Sequence, residues 1–169
     1  DAVDMLQWLT DDLRTRIVQA LPADSPLHEL LEYAEESSGA IMTTEFLTVR
    51  PEWNVDKALK VIRAGAEQAE TIYYTYVVDR RGCLVGVLSL RELALAQATA
   101  LVSSIMRTNV IKVTDDENQE QVAAIFRRYD LMALPVVDEH GVLKGIVTSD
   151  DILDVVDEEA TEDIQLMAA

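Results

Sequence analysis

The chain has little sulfur and little imidazole: one cysteine, Cys83, and two histidines, His28 and His140, in 169 residues. A single thiol excludes an internal disulfide framework and fits a reducing compartment. One thiol and two imidazoles also cannot build a Cys/His zinc site. Basic residues are scarce, 14 Lys and Arg against 31 Asp and Glu, for a net charge of −17. Phosphate backbones are held by clustered Lys and Arg, so nucleic acid is excluded as a partner and an anionic membrane surface is disfavoured. Long apolar runs are missing too. The longest uncharged stretch, Leu93 to Met106, is fourteen residues and contains Gln, Thr and two Ser. That is too short and too polar to cross a bilayer. There is no secretory or lipidation signal. There is also no P-loop and no Ser/His/Asp arrangement, and Cys83 stands in a predicted turn with no histidine beside it, so the chain does not read as an enzyme. It begins with Asp1 rather than Met and stops in mid-pattern, as a piece of a longer protein would.

What is present is ordinary globular material: 49% hydrophobic and 27% charged residues, enough to bury a core without staples. The charge is unevenly placed. Residues 1–38 carry −7 and residues 145–169 carry −8 with no base at all, while the 106 residues between carry only −2. Two readings fit: solvated acidic ends, or faces built to take cations.

The middle of the chain is a duplication. Ile41-Met42 recurs as Ile105-Met106, and the segment from Val77-Val78-Asp79 through Gly82 and Gly86 to Ser89 recurs as Val136-Val137-Asp138 through Gly141 and Gly145 to Thr148. Each copy reads strand, helix, strand, turn, strand, helix. Helices are predicted over Val55–Arg63 and Gln119–Tyr129, and strands over Tyr74–Val78, Leu84–Leu88, Leu134–Val137 and Leu143–Val147. Ser89 and Thr148 stand where the following helix needs an N-cap. Pro135 is expected to shape the start of its strand. The offset falls from 64 to 59 residues, so the first copy carries five extra residues near Ala64–Thr71. Before the repeats, residues 1–36 show short amphipathic helical patterns broken at Pro22 and at Ser37-Ser38-Gly39.

Two copies of a G-h-h-(S/T)-x-x-(D/E) ending, Gly86-Val-Leu-Ser89-Leu-Arg-Glu92 and Gly145-Ile-Val-Thr148-Ser-Asp-Asp151, resemble a pair of cystathionine-β-synthase (CBS) domains. Glu70–Asp79, Tyr129–Asp138, Asp150–Ile164 and Glu32–Met42 look like MgtE-type magnesium channels and transporters. The resemblance implies an α/β (α+β) fold: a tandem CBS pair (Bateman module), preceded by a short all-helical segment and followed by an acidic connecting helix. Residues 1–38 would be the end of a helical N domain, 39–99 the first CBS domain, 100–157 the second, and 158–169 the start of the connecting (plug) helix. It further implies a homodimer on the cytoplasmic side of the membrane, linked to a pore domain absent from this chain.

The residues themselves suggest two chemistries. Mg²⁺ takes hard oxygens and is held through one or two carboxylates, so a sensor needs sparse acids from facing elements. On a helix, Asp151, Asp154 and Glu158 fall on one face with Glu162 a turn further on, without any Lys or Arg after Lys144. Like charges so close repel unless a cation joins them, although a solvated helix end is the other reading. The family resemblance implies metal positions at Glu120, Asp130, Asp151, Asp154, Glu159, Glu162 and Asp163, with a carbonyl at Arg127. The second chemistry is nucleotide binding. Ser89 and Glu92 can present a hydroxyl and a carboxylate to a ribose, with Arg91 toward the phosphates. Tyr74 can stack on an adenine, as the resemblance also implies, although alternating tyrosines are equally strand residues half in the core. The opposite face of the base would be Leu131, where some family members have an aromatic.

The expectation is therefore a cytoplasmic Mg²⁺-sensing regulatory domain that closes an attached pore and is modulated by ATP. The alternatives are an adenine-nucleotide-binding CBS module of another transporter or enzyme without a metal role, and a plain dimerisation scaffold.

Overall fold

A computed structural model describes residues 36–153, together with Leu13, Arg16, Ile17, Ala20, Pro22 and Tyr33. The expected N-terminal helices and connecting helix, and with them Asp154, Glu159, Glu162 and Asp163, lie outside the described residues.

Two three-stranded sheets form, one per repeat. In the first, β1 (Thr48–Val49) runs parallel to β2 (Tyr74–Val78), which pairs antiparallel with β3 (Leu84–Ser89). The parallel step is bridged by α2 (Val55–Gly65), and α3 (Leu90–Leu95) follows β3. The second repeat copies this: β4 (Val113–Thr114), α5 (Gln119–Tyr129), β5 (Ala133–Val137) and β6 (Leu143–Thr148). Residues 149–153 are helical. Both sheets carry a bulge at the same place, Val77/Val78 and Val136/Val137.

The turns explain the repeated Asp-x-x-Gly. The Asp79 carboxylate accepts from the N–H groups of Arg81 and Cys83, and Asp138 accepts likewise from His140 and Val142. Gly82 and Gly141 adopt φ of +85° and +81°, where a side chain is strained. The two turns then join the sheets: Leu84 N–H donates to the Gly141 carbonyl and Leu143 N–H to the Gly82 carbonyl. Cys83 Sγ consequently lies against the His140 carbonyl, a neighbour that the sequence does not place near it.

Each repeat is completed by residues that open the other. The short helix α1 (Ser38–Ile41) packs on the second repeat, with Ser38 and Gly39 N–H donating to the carbonyls of Glu117 and Asp115, and Met42 in the core of Val122, Phe126, Leu134 and Val147. In mirror fashion α4 (Val102–Ile105) packs on the first repeat, where Val102 joins Val55, Ile62, Val77, Leu88 and Leu93. Thr43 exchanges two backbone hydrogen bonds with Ile146, and Arg107 two with Val87. A third cluster, Tyr76, Leu84, Ala133, Val137 and Ile146, lies between the sheets.

Pro135 falls within β5 rather than before it, opposite Ile146. The strand tolerates it because β4 begins only at Val113, paired with Val136, so no ladder donor is lost. At the equivalent place in the first repeat, Tyr76 N–H donates to the Leu47 carbonyl.

Candidate functional site

A cleft opens between the two sheets, with about 500 Å³ of empty space including its mouth. Its walls are β2 residues Tyr74 and Tyr76, Val87 of β3, Leu131, β5 residues Ala133 and Pro135, and the stretch Arg107, Asn109, Val110 and Ile111. Such a mostly apolar cleft with a few polar groups is the usual setting for a small planar ligand. The structure thus brings Tyr74 and Leu131 together, as the sequence reading placed them.

The other expected nucleotide residues are not in the cleft's lining, although Ser89 is the cross-strand partner of Tyr74. Ser89 and Glu92 form a reciprocal capping box: Ser89 N–H and Oγ–H donate to Glu92 Oε2 at 2.7 and 2.8 Å, and Glu92 N–H donates to Ser89 Oγ at 3.1 Å. Arg107 Nε lies 3.3 Å from Glu92 Oε1. Burial alone would raise the Glu92 pKa, but the Ser89 backbone and hydroxyl donors and Arg107 together hold it below the ordinary range. Neither Ser89 nor Glu92 lines the cleft, and Arg91 is exposed and also does not line it.

Two residues missed by sequence reasoning belong to the cleft. Among the described residues Arg107 is the one charged side chain lining it. Tyr76 is only 1% exposed, and its Oη has no hydrogen-bond partner among the described residues. Burial, and secondarily Tyr74, push the Tyr76 pKa far above its usual value, so the hydroxyl keeps its proton.

The expected metal positions that are described stand on two elements. Glu120 is exposed in the first turn of α5, where the Asn118 side chain caps the helix by accepting from the Glu120 N–H. Arg127 is exposed in its last turn, and Asp130 closes it in the left-handed conformation at φ 51°, ψ 51°. Ten residues at 1.5 Å rise put Glu120 and Asp130 about 15 Å apart along the axis, too far to share one ion. Asp151 accepts from the Thr148 hydroxyl at 2.6 Å, the second repeat's version of the Ser89–Glu92 cap. Among the described residues no three His, Cys, Asp or Glu converge as a metal cage.

Carboxylates of both repeats do influence one another electrostatically at Glu70. Glu70 lies in the extra residues of the first repeat, with its N–H bonded to the Glu45 carbonyl. Its pKa is raised by burial first, then by Asp151, Asp150 and Glu45. Glu45 and Glu70 were not legible as neighbours of Asp150 and Asp151 in the sequence.

The CBS domain profile matches residues 37–99 and 102–158. The magnesium transporter MgtE of Thermus thermophilus is 49% identical over 140 residues, covering 83% of this chain and 31% of that protein. Two solved structures align well. The soluble part of a magnesium transporter gives a TM-score of 0.90 at 43% identity, covering 94% of this chain and 63% of the other. The cytosolic domain of the Mg²⁺ channel MgtE in complex with ATP gives 0.85 at 43% identity, covering 90% and 64%. The chain therefore spans about a third of the length of that curated relative.

Proposed function

This chain belongs to the CBS-domain family, as a tandem pair with an MgtE-like sequence, and from that premise we propose that it is the cytosolic Mg²⁺-sensing region of a magnesium transporter. It is regulatory rather than catalytic, and acts as a homodimer linked to a membrane pore. The observation that carries this reading is the crowding of negative charge at Glu70, whose pKa is raised by burial first and then by the charges of Asp151, Asp150 and Glu45. The donors are hard carboxylate oxygens, sparse and on separate elements, which suits an ion that keeps several waters. Asp130 and Glu120, exposed at opposite ends of α5, suit further single-carboxylate contacts to elements packed against that helix.

Bound Mg²⁺ supplies the positive charge that lets such acidic faces approach. Without it the carboxylates of the repeats and of the acidic end from Asp150 repel, and the faces separate. With the faces joined, the connecting helix is held and the attached pore is closed. A ligand at ten times its Kd stabilises the state it binds by about 1.4 kcal/mol per site. Three or four weak sites then total roughly 4–6 kcal/mol, close to the 5.5 needed to move a balance from 1:99 to 99:1. ATP in the cleft modulates the same equilibrium, and linkage makes the effect reciprocal.

The experiment is small-angle scattering of the wild-type chain and of Asp151→Asn with Asp154→Asn, with and without MgCl₂. An Asn at 151 keeps one oxygen for the Thr148 cap. The sensor reading expects Mg²⁺ to compact the wild type and not the double variant, with nucleotide binding kept in both. Equal compaction in both proteins contradicts it. A second reading, a nucleotide-responsive CBS module without a metal role, is favoured by the formed cleft, and expects nucleotide binding with no Mg²⁺-specific compaction.

A further inference from the structure

Each repeat sets a methionine sulfur against a glycine of its last strand, and the two sulfurs are not equally sheltered. A Cβ built on Gly86 would lie 2.7 Å from Met106 Sδ, and one on Gly145 would lie 2.6 Å from Met42 Sδ. Both glycines thus leave the space beside them to a thioether. Met42 is 4% exposed and sits inside its core, whereas Met106 is only half-buried and packs on the edge of the Val55, Val77, Leu88 and Leu93 cluster. Met132 is 47% exposed and, among the described residues, belongs to none of the three apolar clusters.

Met106 also stands where a change of chemistry is felt. It ends α4, with its N–H donating to the Val102 carbonyl, and the next residue, Arg107, exchanges two backbone hydrogen bonds with Val87. Those two bonds fasten the crossing segment to β3, and Arg107 and Val87 both line the cleft. A sulfoxide turns the apolar sulfur into a polar group that requires a hydrogen-bond partner, and the space beside Gly86 is already filled by Sδ itself.

We propose that Met106 is a site of reversible oxidation by hydrogen peroxide, and that its sulfoxide unfastens the residues after α4 from β3. The sulfur attacks one peroxide oxygen: an S–O bond forms, the O–O bond breaks, and the second oxygen leaves as water with both peroxide protons. The sulfur loses two electrons and the peroxide gains them. A methionine sulfoxide reductase reverses the step.

The test uses this chain carrying Cys83→Ser, so that the thiol contributes nothing, alone and with Met106→Leu or Met132→Leu, changes that keep side-chain volume. Each protein is treated with hydrogen peroxide, mapped by mass spectrometry for sulfoxide at every methionine, and melted. Met106 is expected to convert more slowly than Met132 and faster than Met42. The melting temperature should fall by about 3 °C or more as Met106 converts, in the parent and in Met132→Leu but not in Met106→Leu. Treatment with methionine sulfoxide reductases A and B should restore it. Amide exchange should quicken more at Val87 and Arg107 than at Thr43 and Ile146, the matching pair in the other repeat. Should Met106→Leu fail to fold, the time course in Met132→Leu decides, since the fall must follow Met106 sulfoxide and reverse with it. Conversion of Met106 no faster than Met42, conversion without a fall, an equal fall in Met106→Leu, or equal quickening at both pairs overturns the proposal.

Discussion

Glu70 and Glu92 are two carboxylates whose surroundings pull them in opposite directions. Glu70 is pushed up by burial and by Asp151, Asp150 and Glu45, whereas Glu92, despite burial, is held down by Ser89 and Arg107. For Glu92 the unfolded chain binds protons more readily, so its contribution to stability is present above the ordinary carboxylate pKa and is lost as pH falls through the lowered one. For Glu70 the sign reverses. The folded state holds its proton longer, and stability is lost as pH rises from about 4.5 through the raised value. Glu70→Gln is therefore expected to stabilise the Mg²⁺-free chain at pH 7 and to change little below pH 4, as read by urea denaturation at both pH values. A variant less stable at pH 7 contradicts the crowding. At this scale the sequence was only partly readable. Tyr74 and Leu131 are named by the family resemblance rather than by spacing, and the fold brings both to the cleft wall. Ser89 and Glu92, expected to meet a ribose, form the capping box that their i, i+3 spacing also signals. Glu45 and Glu70 escaped because nothing local signals that a 25-residue separation closes over a loop.

Among the elements, the long helices and the hairpins were the most legible. Period-3.6 apolar spacing defined α5 residue for residue and α2 to within two residues, and Asp-x-x-Gly fixed both turns. What spacing could not give is the exchange of leading segments between repeats, because a short Ser-Gly-Ala-Ile or Val-Ser-Ser-Ile helix carries no address. The glycines of the repeated motif are the other half of that exchange. A Cβ on Gly145 would lie 2.6 Å from Met42 Sδ and 2.9 Å from the Thr43 carbonyl, and one on Gly86 would lie 2.7 Å from Met106 Sδ and 3.1 Å from the Arg107 carbonyl. Met is flexible but the backbone oxygen is not. Gly145→Ala is thus expected to cost about 1–3 kcal/mol, with Gly86→Ala costing less, as measured by denaturant midpoints. Equal stability of Gly145→Ala and wild type would show that the crossing strand does not sit on this glycine.

For the whole molecule, the two halves hold each other through exchanged segments, joined turns and a shared inter-sheet core, while the acidic charge gathers toward the ends. A module so braced is suited to pass a change at its acidic rim to its central cleft, because the residues after Met42 and Met106 each belong to both halves. The charge segregation was visible in the sequence, but which carboxylates meet is a property of the fold. The central claim is that these carboxylates take Mg²⁺ in the folded state. The most direct test is the melting temperature of this chain in MgCl₂ from zero to about 20 mM, against NaCl at matched ionic strength. The account predicts a Mg²⁺-specific rise of about 3 °C or more. Superimposable curves in the two salts would mean that screening alone acts on the acidic faces, and would contradict the account.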